Sequence, residues 1–302
     1  MKHNYRFTPI LGWSHSRYQI FSFCRRSYFL QYYRKFVPKE SVKKVEELRA
    51  LSNLPRQKGL LIHELIENIL KMIQKNRFEI RQNDFEKYVD KKVDTGISQL
   101  PFFENYYEGL DFPNEDFKKE VKNKISVFIE SEFYHWLIKQ VKNKYTNPKD
   151  WLIEPSQYGE TRIAGMKAYC IVDFLMPTQD QVYIFDWKSG KPSEAHINQL
   201  LAYSLTAKFE YKFDLEKIFT EVVYLTNEEI VRKSYSPPVN EIEDFIDTVT
   251  AQTQELYGYC KDYKNNIPKS INNFPKTDDL NKCNKCNFKE YCKRGEFAEE
   301  TV

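Results

Sequence analysis

The sequence predicts an α/β protein with a central sheet flanked by helices. Two observations carry that expectation. Before residue 151 the apolar residues recur at helical spacing; after it they gather into short runs bounded by turn residues. The chain has 302 residues, of which 41% are hydrophobic and 29% charged, enough for one substantial core.

The elements follow in order. Residues 12–36 read as a helix entered at Ser14 or Ser16, with aromatics along SRYQIFSFCRRSYFLQYY. Residues 59–76 read as a second helix, with Leu61, Leu65, Ile69 and Met72 on its apolar face. Residues 77–150 are charged and aromatic with scattered helical periods, which reads as a helical insert. From Trp151 onward WLIEP, MKAYCIVDFL, VYIFDW, KIFTEVVYLT and EIVRKSYS read as strands. PTQDQ between Leu175 and Val182 has the composition of a hairpin turn. A helix over SEAHINQLLAYSLTAKF, capped by Ser193, separates the third strand from the fourth. A last helix over 240–262 leads into a cysteine-rich tail. The order argues for one domain over residues 1–302.

Composition narrows the function classes. No apolar run approaches the length of about 20 residues that a membrane helix needs, and the N-terminus lacks the long apolar stretch of a secretory signal. A cytoplasmic location is expected. The net charge is +3, yet residues 1–50 hold 11 Lys and Arg against 3 acids, so the rest of the chain is net negative. Basic side chains interleaved with Tyr and Phe suit a phosphate backbone whose bases can stack, although a plain solvated basic face has the same composition.

Candidate chemistry centres on VYIFDWKSG. Side chains alternate along a strand, so Asp186 and Lys188 point to the same side where the strand ends. Asp173 closes the polar end of the preceding strand, and a hairpin would bring it to the same point. Two carboxylates held together repel unless a cation lies between them, and Mg²⁺ takes oxygen ligands. Such an ion polarises a phosphodiester, and a nearby lysine orients water. An isolated D-x-K is more often a salt bridge at a sheet edge. His63 is the one imidazole in its apolar helix, a satisfied core residue or a metal ligand. Gln199 and Tyr203, four apart, share a helix face, as ordinary polar residues or as holders of a phosphate or of Lys188.

There are six cysteines, at 24, 170, 260, 283, 286 and 292. The tail CNKCNFKEYC is C-x2-C-x5-C, a metal-binding rather than a disulfide pattern in a cytosolic chain. Three thiolates lack a fourth ligand, which Cys24, Cys170 or Cys260 could supply. Cys24 adjoins Arg25 and Arg26, whose charge favours a thiolate. Spacing alone does not separate zinc from an iron–sulfur cluster.

Together WSHSRYQIFSFCRRSYFLQYY, GLLIHELIE, CIVDFL, IFDWKSG, INQLLAY and FPKTDDLNKCNKCNFKEYC resemble, in order, the RecB-like branch of the PD-(D/E)XK nucleases that carry an iron–sulfur cluster. That branch includes the C-terminal nuclease of AddB-type helicase–nucleases, Dna2-type nucleases and CRISPR-associated adaptation nucleases. The resemblance implies a restriction-endonuclease-like mixed sheet, with the insert at 77–150 and a tail at 274–292 closing onto Cys24. It implies Mg²⁺ or Mn²⁺ on His63, Asp173, Asp186 and the main-chain carbonyl of Trp187. Lys188 would position the attacking water. Gln199 and Tyr203 would support Lys188 and contact DNA, with Arg25 and Arg26 beside them as DNA-binding candidates. Cys24, Cys283, Cys286 and Cys292 would hold a [4Fe–4S] cluster.

Two positions depart from the family's habit: Cys170 stands where a Gly is frequent, and Arg25 where a Pro is. No Walker A pattern occurs, so unwinding would fall to a partner helicase. The resemblance implies a DNA exonuclease acting on single strands or free ends, in repair, recombination or anti-phage defence. Two other readings fit parts of the pattern: a catalytically idle single-stranded-DNA-binding subunit of a helicase–nuclease or defence complex, and a zinc-stabilised structural subunit.

Overall fold

The structure is a computed structural model, described for residues 8–75, 82–97, 100–112, 114–155, 160–194 and 196–297. The basic residues Lys2 and Arg6, the start of the insert at 77–81, and Ala195 in the helix after DWK lie outside these. In chain order the helices are α1 (His15–Phe23), α2 (Arg25–Tyr32), α3 (Val42–Ala50), α4 (Leu54–Gln74), α5 (Gln82–Ile97), α6 (Phe103–Glu108), α7 (Glu115–Glu130), α8 (Glu132–Val141), α9 (His196–Tyr211), α10 (Val239–Gly258) and α11 (Leu280–Asn284). The strands are β1 (Leu152–Ile153), β2 (Glu160–Ile163), β3 (Met166–Tyr169), β4 (Phe174–Pro177), β5 (Val182–Lys188), β6 (Ile218–Leu225), β7 (Ile230–Tyr235), β8 (Cys260–Asp262) and β9 (Ile267–Pro268).

The chain divides into two compact units. Among the described residues, the first comprises those of 52–161 and 170–245, and the second those of 8–51, 162–169 and 246–297.

The first unit is built on a five-stranded mixed sheet of order β1-β4-β5-β6-β7. Strands β4 and β5 form the expected hairpin, and the turn closes through Thr178, whose N–H donates to the Gln181 carbonyl at 2.8 Å. β5 runs parallel to β6, which requires a crossover, and α9 supplies it. Alternation then sorts the side chains. Phe174, Phe185 and Trp187 face α4, α5, α7 and α8 in one apolar layer. Leu175, Ile184 and Val222 face Leu200, Tyr203 and Ala207 of α9 in the other. Burial on both faces explains why β5 and β6 read as near-continuous apolar runs.

Helix α4 starts five residues earlier than the sequence suggested. Asn53 caps it, its side-chain oxygen accepting from the Arg56 N–H at 2.9 Å, and Pro55 fits the first turn, where no amide proton is needed. The buried stripe continues at Ile73; Met72 is only half-buried. Residues 82–141 are indeed mostly helical.

Three other expectations are corrected. The single strand read over MKAYCIVDFL is two: β3 ends at Tyr169 and β4 begins at Phe174. The preceding ETRI, unread as a strand, pairs with β3 as a hairpin that turns at Ala164 and Gly165, both at positive φ. The helix read over 12–36 breaks at Cys24, whose backbone is extended (φ −164°, ψ 122°). The helix read over 240–262 ends at Gly258, and Cys260–Asp262 form β8. The cap read at Ser193 stands two residues before Ala195, which lies outside the described residues.

The second unit packs around aromatics. Phe21, Tyr28, Phe29 and Phe274 are fully buried, with Phe29 and Phe274 ring centres 4.8 Å apart. No helix among the described residues is long and apolar enough to cross a membrane.

Candidate active site

Two strand ends and two helices of the first unit bring the candidate groups together. Because Phe174 pairs with Phe185, Asp173 at the head of β4 lies beside the end of β5. Asp186 and Lys188 project toward α9, as alternation requires, while the Trp187 ring is buried on the opposite face. The Trp187 main chain is left facing the acids. Its N–H donates to Asp173 Oδ2 at 3.0 Å, and its carbonyl oxygen lies 2.9 Å from His63 Nε2.

A second set of bonds runs through α9. Lys188 Nζ donates to Asp186 Oδ1 and to Gln199 Oε1, each at 2.9 Å. Gln199 Nε2 donates to the Tyr203 hydroxyl at 2.7 Å. That hydroxyl, with one proton to give, lies 3.1 Å from Asp173 Oδ1 and 3.3 Å from Asp186 Oδ1. The spacing of four places Gln199 and Tyr203 on one helix face, and the sheet register decides what that face meets.

Glu154 joins the group and was missed in the sequence. Ile153 pairs with Phe174, and the Glu154 N–H donates to the Asp173 carbonyl at 3.0 Å. Glu154 also takes φ +34°, a strained conformation for a residue with a side chain. Its carboxylate oxygen lies 3.4 Å from His63 Nδ1, and Asp173 Oδ2 lies 3.5 Å from the same nitrogen. The ligand atoms of His63, Glu154 and Asp173 all fall within 4.8 Å of one another. The available signal was an acid ending the apolar run Trp-Leu-Ile just before a proline, as Asp186 ends VYIF.

The electrostatics fit a divalent cation. Three carboxylates, Glu154, Asp173 and Asp186, face one fixed cation, Lys188. Burial and the neighbouring Asp173 charge push the Asp186 carboxyl up to about 7, against the pull of Lys188. Burial disfavours a charged His63, but Asp173 and Glu154 outweigh it and raise the imidazole to about 9. The metal-free site therefore retains protons that a metal would displace. Two buried oxygens accept no hydrogen bond: Glu154 Oε1, and Asp186 Oδ2, which lies 2.7 Å from Lys188 Nζ without hydrogen-bond alignment. Such orphaned acceptors in a cluster suit a cation. His63, Glu154, Asp173, Asp186 and the Trp187 carbonyl are the groups that would hold it. Cys170 lies close by, but burial pushes its thiol up to about 12, so it stays protonated and packs as a small apolar group.

The cysteines lie in the second unit. Cys24, Cys283, Cys286 and Cys292 line one pocket with Ser27 and Phe288. The break between α1 and α2 presents Cys24, and α11 with the turns after it presents the other three. Burial, then the neighbouring Cys286, pushes the Cys292 thiol up to about 12, while Lys276 and Arg26 oppose the shift. The Phe288 N–H lies 3.4 Å from Cys286 Sγ as a donor to sulfur. Four converging thiols with nearby cations fit a thiolate-bound metal centre. Cys170 is in the other unit, and Cys260 is buried beside Tyr33.

Arg25 and Arg26 make contacts inside their own unit. Arg25 pairs with Glu255 at 2.7 Å and lies over the Phe21 ring, and Arg26 Nε donates to the Phe274 carbonyl at 2.8 Å.

A sequence profile of the PD-(D/E)XK nuclease superfamily matches residues 12–293. The chain belongs to that superfamily of nucleases, hydrolases of phosphodiester bonds that usually use divalent metals. No curated protein sequence matches it. Among solved structures it is similar to one described as "Crystal structure of SSO0001", at 14% identity and a TM-score of 0.30, over 68% of this chain and 94% of that one.

Proposed function

We propose that the chain is a deoxyribonuclease of the RecB-like branch, acting as an exonuclease on single-stranded or free-ended DNA. The observation that carries the proposal is the closed network Lys188–Asp186–Tyr203–Asp173 with Gln199 between Lys188 and Tyr203. It holds an ammonium beside a pair of carboxylates at a strand end, which is what positioning a water against a phosphodiester requires. Mg²⁺ or Mn²⁺, bound by His63, Glu154, Asp173, Asp186 and the Trp187 carbonyl, would supply charge neutralisation and an acidified water. In this proposal Lys188 orients that water, and Gln199 and Tyr203 hold Lys188 in place. Cys24, Cys283, Cys286 and Cys292 would carry a [4Fe–4S] cluster that ties the tail to the first helices. The cellular setting would be the cytoplasm, in repair, recombination or anti-phage defence, beside a helicase or in a defence complex that supplies unwound DNA.

The test is cleavage of end-labelled single-stranded DNA with Mg²⁺, Mn²⁺ or EDTA. Asp186→Ala should reduce metal-dependent cutting by at least about 100-fold, and the fragment ladder gives polarity. Cutting that persists in purified Asp186→Ala would sink the site assignment. Iron and sulfide analysis of native protein and Cys286→Ala tests the cluster: zinc in place of iron would overturn that part alone.

A further inference from the structure

Beside the catalytic strand end lies a pocket that none of the catalytic groups line. It holds about 280 Å³ and sits on the α9 face of the sheet. Its walls are Ile197 and Leu200 of α9, Val222 and Tyr224 of β6, and Lys233 and Tyr235 of β7. His196 stands at its mouth, with Nδ1 2.8 Å from the Tyr224 hydroxyl. Nearly all of Tyr224 is buried, so this contact is its route to a polar partner. Lys233 Nζ lies 6.0 Å from the centre of the Tyr224 ring, and among the described residues it has no acid partner.

The register fixes where this pocket stands. Lys188 pairs with Tyr224 across the parallel β5–β6 ladder, and Val222 pairs with Lys233 across β6–β7. Stepping one strand outward from Lys188 therefore leads into the pocket, and a second step leads to Lys233. On α9, His196 precedes Gln199, the Lys188 partner, by three residues, so the two share a face. Lys188 is also close enough for its charge to act on His196.

Taking the nuclease function proposed above as its basis, we propose that this pocket binds the nucleotide next to the scissile phosphate. Lys233 would contact its phosphate, and its base would lie against Tyr235 and the aliphatic floor. The chemistry favours that occupant. Ile197, Leu200, Val222 and Tyr235 offer a base apolar and aromatic surface, Ser193 and Ser234 offer its polar edge partners, and Lys233, with no acid partner among the described residues, meets an anion. Tyr224 engages Nδ1 of His196, and among the described residues Nε2 has no hydrogen-bond partner, so it can meet a ligand. Glu194 is the acid on the rim; it repels phosphate but accepts a bond from an exocyclic amino group. The volume suits a single base, which matches an extended strand threaded past Lys188 better than a stacked duplex.

Lys233 is a substrate-binding residue here, so the test reads binding and the response to salt. Fluorescence anisotropy of labelled single-stranded DNA is measured in Ca²⁺, over a salt series, for native protein, Lys233→Gln, Lys233→Arg and Lys217→Gln. Lys217 is a surface lysine outside the pocket. The expected result is several-fold weaker binding by Lys233→Gln, with the slope of log affinity on log salt reduced by about 0.7. Lys233→Arg should restore most of both, and Lys217→Gln should match native protein. In steady-state cleavage the loss should fall on KM more than on kcat. Native protein that binds DNA while Lys233→Gln binds with equal affinity and slope would overturn this inference and leave the nuclease function standing. Native protein that does not bind DNA at all would overturn both.

Discussion

Tyr203→Phe removes one oxygen from a buried position and tests the network directly. The hydroxyl has one proton to give, and Asp173 Oδ1 at 3.1 Å is the nearer of two carboxylate acceptors. A hydrogen bond to a charged acceptor contributes about 1.5–3 kcal/mol net. Asp173 keeps the Trp187 N–H and Asp186 keeps Lys188, so the loss is that of this one bond. The Gln199 amide also loses its acceptor, but Gln199 is half-buried and water can take over, so that loss adds little. Phenylalanine fills the same volume less the oxygen, so no cavity is created. The sum is about 2 kcal/mol of destabilisation. With a urea slope of about 2–3 kcal/mol/M, the midpoint should fall by roughly 0.7–1 M. Three of the four tryptophans, Trp136, Trp151 and Trp187, belong to the same unit as Tyr203, so fluorescence reports its unfolding. A midpoint within roughly 0.2 M of native protein would refute the placement of the hydroxyl between the two acids.

Two further outcomes follow from the same geometry. In the metal-free protein both perturbed groups have folded-state values above their ordinary ones: Asp186 rises to about 7 and His63 to about 9. A raised folded value favours the protonated form, so this contribution is complete at low pH and is lost as pH climbs through those values. The urea midpoint of EDTA-treated protein should therefore fall between pH 5 and pH 9, and saturating Mg²⁺ should flatten or reverse the trend; a rising midpoint without metal would contradict the site electrostatics. Phe185 is fully buried, 5.2 Å from the Phe133 ring and stacked on Phe174 at 5.6 Å. Phe185→Ala should cost about 3–5 kcal/mol in chemical denaturation, and a loss below roughly 1 kcal/mol would show that this layer is not packed as described.

Much of the site was legible because it obeys local periods. Asp186 and Lys188 share a side since strands repeat every two residues, and Gln199 and Tyr203 share a face since helices repeat near four. The tail cysteines announced themselves by spacing, and the apolar run of β5 named the central strand. Cys24 was a candidate, one of three, for the fourth thiol; what the pattern missed there was the break in the helix that turns it toward the tail.

Other features depend on which distant backbones pair. Glu154 reaches His63 only because a two-residue strand aligns Ile153 with Phe174, and nothing within WLIEP encodes that partner. From its helix alone His63 reads as a core histidine or a metal ligand; α4 packing over the end of β5 is what brings its ring to the Trp187 carbonyl. The division of MKAYCIVDFL between two strands likewise comes from competing partners, since Tyr169 bonds to Trp13 while Phe174 bonds across to β5. The sequence by itself determined which residue types stand at which phase of each strand and helix, because alternation and pitch are properties of the local backbone. The tertiary structure alone decided which of those faces meet, because strand register and helix packing are fixed by burial summed over the whole chain.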